Sequence, residues 1–162
     1  MLEPREQLIL LNLVPGLSAR AVRRLLDALG GVAAVAKAGP ETLQQTAGLS
    51  ALAVRRIADG LRDEARLARE LVLAQERGVT LVTLEDPGYP AALKTIADPP
   101  PVLYLKGKLP TSPALSIVGS RKPSPYGLRL AERLTREAVQ GGLAVVSGLA
   151  RGIDTAAHQG AL

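Results

Sequence analysis

Residues 115–127 read Leu-Ser-Ile-Val-Gly-Ser-Arg-Lys-Pro-Ser-Pro-Tyr-Gly, and three local signals follow one another there. Ser116–Val118 is a short β-branched run that predicts a strand. Gly119–Lys122 is a tight basic turn. Ser124 followed by Pro125 has the form of an N-cap with proline in the first turn of a helix. A strand–glycine turn–helix unit directs backbone N–H groups and the positive end of a helix dipole at one point. With Arg121 and Lys122 at that point, the natural ligand is a phosphate.

Downstream, the pattern predicts a helix to Gln140 with Leu130, Ala131, Leu134 and Ala138 inward. Glu132 with Arg136 and Arg133 with Glu137 form outward i,i+4 pairs. Gly141-Gly142 ends the helix, and Leu143–Val146 predicts a strand. A right-handed crossover makes it parallel to Leu115–Val118. Ser147-Gly-Leu-Ala-Arg-Gly-Ile153 is a second glycine-punctuated loop, with Asp154 read as N-cap of a helix through His158. His158 has no visible partner nucleophile and is given a structural hydrogen-bonding role. Both loops leave the carboxyl edge of the sheet, where open α/β folds bind ligands. They are expected to converge on one cleft, which Arg151 either reaches, the favoured reading, or leaves to pair with Asp154. Gly119, Gly127, Gly148 and Gly152 provide close backbone approach or positive φ, and Tyr126 is a candidate base-stacking platform. The turn is neither GxGxxG nor GxxxxGK, so no dinucleotide fingerprint or Walker A loop is present.

Upstream, Val79–Leu84 and Val102–Lys106 predict strands, and Tyr89–Ile96 a short helical turn. Asp98-Pro-Pro-Pro between them cannot be helix or central strand.

The front of the chain is duplicated. Val14-Pro-Gly-Leu-Ser-Ala-Arg-Ala-Val-Arg-Arg-Leu-Leu-Asp-Ala-Leu29 recurs 32 positions later as Thr46-Ala-Gly-Leu-Ser-Ala-Leu-Ala-Val-Arg-Arg-Ile-Ala-Asp-Gly-Leu61. Each copy reads as a glycine turn with Ser18 or Ser50 capping the next helix. Further helices are expected at 6–13, 32–38, 41–45 and 63–77. This resembles tandem helix-hairpin-helix motifs of the sterile-alpha-motif-like kind. There, glycine turns such as those at Gly16 and Gly48 meet a DNA phosphate, with Arg23, Arg24, Arg55 and Arg56 adding charge. The same residues also suit a scaffold or a protein-docking module.

Composition bounds the rest. With 162 residues the chain has room for one comfortable domain or two small ones; the expected division is 1–77 helical and 78–162 α/β. The net charge of +5 splits as +2 before and +3 after residue 77, a modest bias toward polyanions. No cysteine and one histidine exclude disulfides and a structural zinc site. The N-terminus lacks signal-peptide features and no apolar run approaches the ~20 residues of a bilayer span. The expectation is a cytoplasmic protein without membrane span, metal or cofactor.

Tyr89-Pro…Leu93, Pro100–Gly107, Ile117–Arg121, Ser124–Gly127 and Ser147–His158 occur in an order that strongly resembles the DprA/Smf family of DNA-processing proteins of natural transformation (competence). The resemblance covers 79–162, and the helical front resembles the sterile-alpha-motif-like domain of many members. It implies an extended Rossmann-like domain that is non-enzymatic, with no catalytic residues. That domain binds and protects single-stranded DNA and loads the RecA recombinase onto it. The family's phosphate-contacting arginine falls on Arg121, with Ser120, Ser124, Tyr126, Gly127 and the loop from Ser147 to Asp154 at the pocket rim. It also implies that later strands, a further pocket lysine and the homodimer and RecA surfaces are missing from these residues. Weak DNA binding and poor dimerisation are then expected. Two rivals remain: a nucleotide phosphoribohydrolase resembling lysine-decarboxylase-like proteins, and a helix-hairpin-helix module binding duplex DNA or protein.

Overall fold

The computed structural model describes residues 2–162. The chain forms two compact units, Met1–Gly107 and Lys108–Leu162.

In the first unit, α1 (Pro4–Asn12), α2 (Ala19–Leu29), α3 (Val32–Lys37), α4 (Pro40–Ala47) and α5 (Ala51–Gly60) surround one apolar core. The duplication is visible in three dimensions. Ser18 caps α2 by accepting from the Ala21 amide, and Ser50 caps α5 by accepting from Ala53, each at 3.2 Å. Helix α1 is buried on both sides. Leu8 and Leu11 enter the core of the repeat, whereas Ile9 and Leu10 pack with Leu67 of α6 (Glu64–Glu76), Leu81 and Val102. Leu81 and Val102 lie on β1 (Thr80–Thr83) and β2 (Val102–Leu105), which pair antiparallel. Between the strands lies the short α7 (Ala91–Lys94).

The two-sided α1 explains why these strands fold with the helices rather than beyond a break at residue 77. Arg5 of α1 reinforces the joint, donating to the Leu81 carbonyl at 2.7 Å and to Asp86 at 3.2 Å.

The second unit is a β–loop–α–β–loop–α chain. Strands β3 (Ala114–Ser116) and β4 (Ala144–Val146) pair in parallel, Leu115 opposite Val145, as the crossover rule requires. Helix α8 (Pro125–Gln140) joins them, and α9 (Ile153–Ala161) follows. The outward ion pairs Glu132–Arg136 (2.5 Å) and Arg133–Glu137 (3.6 Å) are present.

The inward face of α8 differs from the expected one. Ala131 and Thr135 are buried, while Leu134 is 46% exposed. The cause is a close crossing with α9, where Gly160 lies against the Glu132 carbonyl so tightly that any Cβ would overlap it. Small side chains fit that seam, and the Thr135 hydroxyl satisfies itself by donating to the Ala131 carbonyl.

Charge is unevenly distributed. Residues 108–162 hold seven Lys and Arg against three Asp and Glu, four of the five net positive charges. No helix among the described residues is long and apolar enough to cross a membrane.

Candidate nucleic-acid interface

The strand β3 ends at Ser116, two residues earlier than expected, so Ile117–Ser124 forms one continuous loop into α8. Ser124 caps α8 by accepting from the Gly127 amide at 3.2 Å. The second loop, Ser147–Gly152, leaves β4. The two loops are locked together. Ser147 Oγ donates to the Ile117 carbonyl at 2.7 Å, and the Ile153 amide donates to the Ser120 carbonyl at 3.1 Å.

Two glycines make this approach possible. Gly152 has φ 91°, and a side chain there would collide with the Ser120 carbonyl and the Arg121 backbone. At Gly119 a Cβ would fall 2.8 Å from the Ile153 side chain.

Asp154 does not cap α9. The cap position is Gly152, and Asp154 sits in the first helical turn. It is only 5% exposed, and its carboxylate accepts from the Gly148 amide at 3.0 Å and the Gly119 amide at 3.4 Å. The carboxylate therefore bridges the two loops. A cap is a local feature of its own helix, and sequence spacing could not reveal a bond to a residue 35 positions away. Arg151 makes no ion pair with Asp154 among the described residues and is exposed. His158 is partly buried, its Nε2 without a partner among the described residues, so the hydrogen-bonding role expected for it is not seen.

Around this lock, Ser120, Arg121, Lys122, Ser124, Tyr126, Gly148 and Arg151 are exposed, while Gly127, Ser147 and Gly152 are partly buried. Among the described residues, Arg121, Lys122 and Arg151 have no acidic partner. The amides of Ser120, Arg121, Ala150 and Arg151 likewise meet no protein acceptor there. Lys122 N donates to Ser120 Oγ at 3.1 Å, which tightens the turn. Such a loop pair presents cations and unpaired N–H groups without a neutralising carboxylate on its surface, an arrangement suited to an anion. Asp154, the one acid in the lock, faces inward to the Gly119 and Gly148 amides.

The helical repeat is arranged differently. Gly16 and Gly48 both have positive φ, 79° and 62°, as hairpin turns require. Of their arginines, Arg23 and Arg56 turn to the protein itself, Arg55 approaches an acid loosely, and Arg24 has no ion pair among the described residues. Arg23 pairs with Asp27 at 2.6 Å and Arg55 with Asp59 at 3.9 Å, and Arg56 donates to the Pro15 carbonyl. Arg20 holds Asp98 at 3.0 Å. Hydrogen bonds from Arg20 lower the Asp98 pKa below its ordinary value, with Arg24 contributing through its charge.

Sequence reasoning passed over Arg129 and the bridging role of Asp154. A signal for Arg129 was available, because it stands four residues before Arg133 and so sets two like charges on one helical face.

The fold defines a class: a Rossmann-like parallel α/β unit with two glycine loops at its strand ends, preceded in the chain by a sterile-alpha-motif-like helical region. The model of the DNA recombination-mediator protein A family matches residues 80–162, just over half of the chain, and the chain belongs to that family. It is 40% identical over 96 residues to the DNA processing protein DprA of Bacillus subtilis, covering 57% of this chain and 32% of that protein. To the protein Smf of Synechocystis it is 39% identical over 94 residues, covering 54% of this chain and 24% of the relative. The X-ray structure of DNA processing protein A from Streptococcus pneumoniae superposes with a TM-score of 0.73 at 27% identity. That match covers 99% of this chain and 54% of the other. The chain thus spans a quarter to a third of these curated relatives and about half of the solved chain.

Proposed function

We infer that this chain captures single-stranded DNA through the phosphate groups of its backbone, as part of a protein that protects incoming DNA and hands it to the RecA recombinase during natural transformation. One observation carries the reading: the two interlocked loops expose Arg121, Lys122 and Arg151 with no acidic partner among the described residues. Arg121 follows the glycine turn at a helix entry and takes the central phosphate. The Ser120 and Arg121 amides add neutral donors, and Asp154 keeps the loops at the separation that one phosphate needs. Family membership and the relatives' description as DNA-processing proteins support the same reading. We read the action as binding, with Asp154, which accepts from two backbone amides, holding the loops rather than serving as an acid.

The rival sites make different demands. A helix-hairpin-helix contact would draw on Arg23 and Arg56, which already hold Asp27 and the Pro15 carbonyl, although such exposed contacts cost little to release. A phosphoribohydrolase would liberate free base from a nucleotide.

Labelled oligo-dT should bind more tightly than duplex of equal length and weaken as salt rises. Arg121→Ala should cost about tenfold or more in affinity, the scale of a charge-assisted hydrogen bond. If Arg121→Ala is silent while Arg23→Ala/Arg24→Ala abolishes binding, the loop assignment is wrong. Release of free base would establish the enzyme instead.

A further inference from the structure

Beyond the loops, α8 carries a shallow groove of about 290 Å³ lined by Tyr126, Arg129, Leu130 and Arg133. These residues stand at i, i+3, i+4 and i+7, so they form one stripe. The stripe lies opposite the Ala131–Thr135 seam that packs on α9.

Two of its features run against stability. Tyr126 is a large aromatic left 66% exposed at the start of the helix. Arg129 and Arg133, one turn apart, repel each other as like charges at i,i+4 do. The contrast with the rest of α8 is informative. Arg136 is neutralised by Glu132 at 2.5 Å, and Arg133 reaches Glu137 only at 3.6 Å. Arg129 has no acidic partner among the described residues. An anion between Arg129 and Arg133 would relieve that repulsion, and an exposed tyrosine beside two guanidiniums matches the pairing of base and phosphate in a nucleic-acid strand. Leu130 supplies an apolar floor.

We propose that this groove is a second segment of the DNA path, resting on the reading of the loops as a single-strand phosphate site. A single strand leaving the Gly119–Lys122 turn stacks a base on Tyr126 and lays its next phosphates on Arg129 and Arg133. The loops capture one phosphate irrespective of length, and the groove acts only when the strand is long enough to run onto α8.

The test is a length series of oligo-dT titrated over a range of salt. Arg129→Ala/Arg133→Ala should leave binding of the shortest oligomers unchanged. It should weaken long ones about tenfold, and the log–log salt slope should fall by about 0.7 for each phosphate released. Tyr126→Ala should weaken long oligomers, and Tyr126→Phe should retain binding because stacking needs only the ring. Arg136→Ala removes one charge from the same helix outside the groove and measures the unspecific share per charge. Circular dichroism of each variant establishes that α8 is intact. If Arg121→Ala weakens every length but Arg129→Ala/Arg133→Ala loses no more affinity or slope per charge removed than Arg136→Ala, the groove proposal fails and the loop reading stands. If Arg121→Ala is silent at all lengths, the loop reading fails, and the groove proposal with it.

Discussion

Asp154 is the residue on which the site's geometry depends most directly. Its buried carboxylate is shared between the Gly148 and Gly119 amides, so removing it leaves two donors facing a void. Leaving a buried donor unpaired costs about 1–3 kcal/mol. Asp154→Ala should therefore lower the unfolding free energy by about 1–3 kcal/mol in urea titrations, and it should weaken oligo-dT binding without touching a DNA-facing charge. Asp154→Asn, which keeps one acceptor, should fall between. Unchanged stability in Asp154→Ala would show that the amides do not depend on this carboxylate. The residue was legible as important because it follows a glycine-rich loop. Its role was not, since the bond that defines it spans the βαβ crossover.

At the scale of elements, the helix starts were readable. Ser18, Ser50 and Ser124 each cap the helix that their position promised, because capping is decided within four residues. The face that a helix buries is decided by its neighbour. On α8, apolar periodicity favoured Leu134, but the neighbour α9 meets the helix through Gly160 and admits only small groups. Gly160→Ala should push α9 off the Glu132 carbonyl and lower stability by about 1–3 kcal/mol, the usual cost of overpacking. Thermal melts would check this. A neutral Gly160→Ala would mean that the crossing relaxes freely.

At the scale of the whole molecule, most of the net charge lies in the shorter unit, and the larger unit is built around the two-sided α1. Tyr104 on β2 reports on that larger unit. Tyr104 is about half exposed, yet desolvation at its hydroxyl, and then the Glu70 carboxylate, push that group up to about 12 from 10.0. A tyrosine held protonated by the fold adds stability that is complete below pH about 10, where the unfolded phenol is still neutral. That stability is lost as pH rises through about 12. Spectrophotometric titration should show one tyrosine ionising well above ordinary phenols, and Tyr104→Phe should remove that step and flatten the alkaline loss of stability. An ordinary titration of all three tyrosines would contradict it.

The sequence by itself determined the duplicated helical unit, the parallel strand pair and the two glycine loops bearing Arg121 and Arg151. Each of these rests on short-range patterns: caps, turns and periodicity. Only the tertiary structure decided that β1 and β2 join the helical core, that Asp154 bridges the loops, and that Arg56 of the repeat holds an internal partner. Those outcomes depend on residues far apart in the chain, whose contacts are chosen by packing and by the cost of leaving a buried polar group alone.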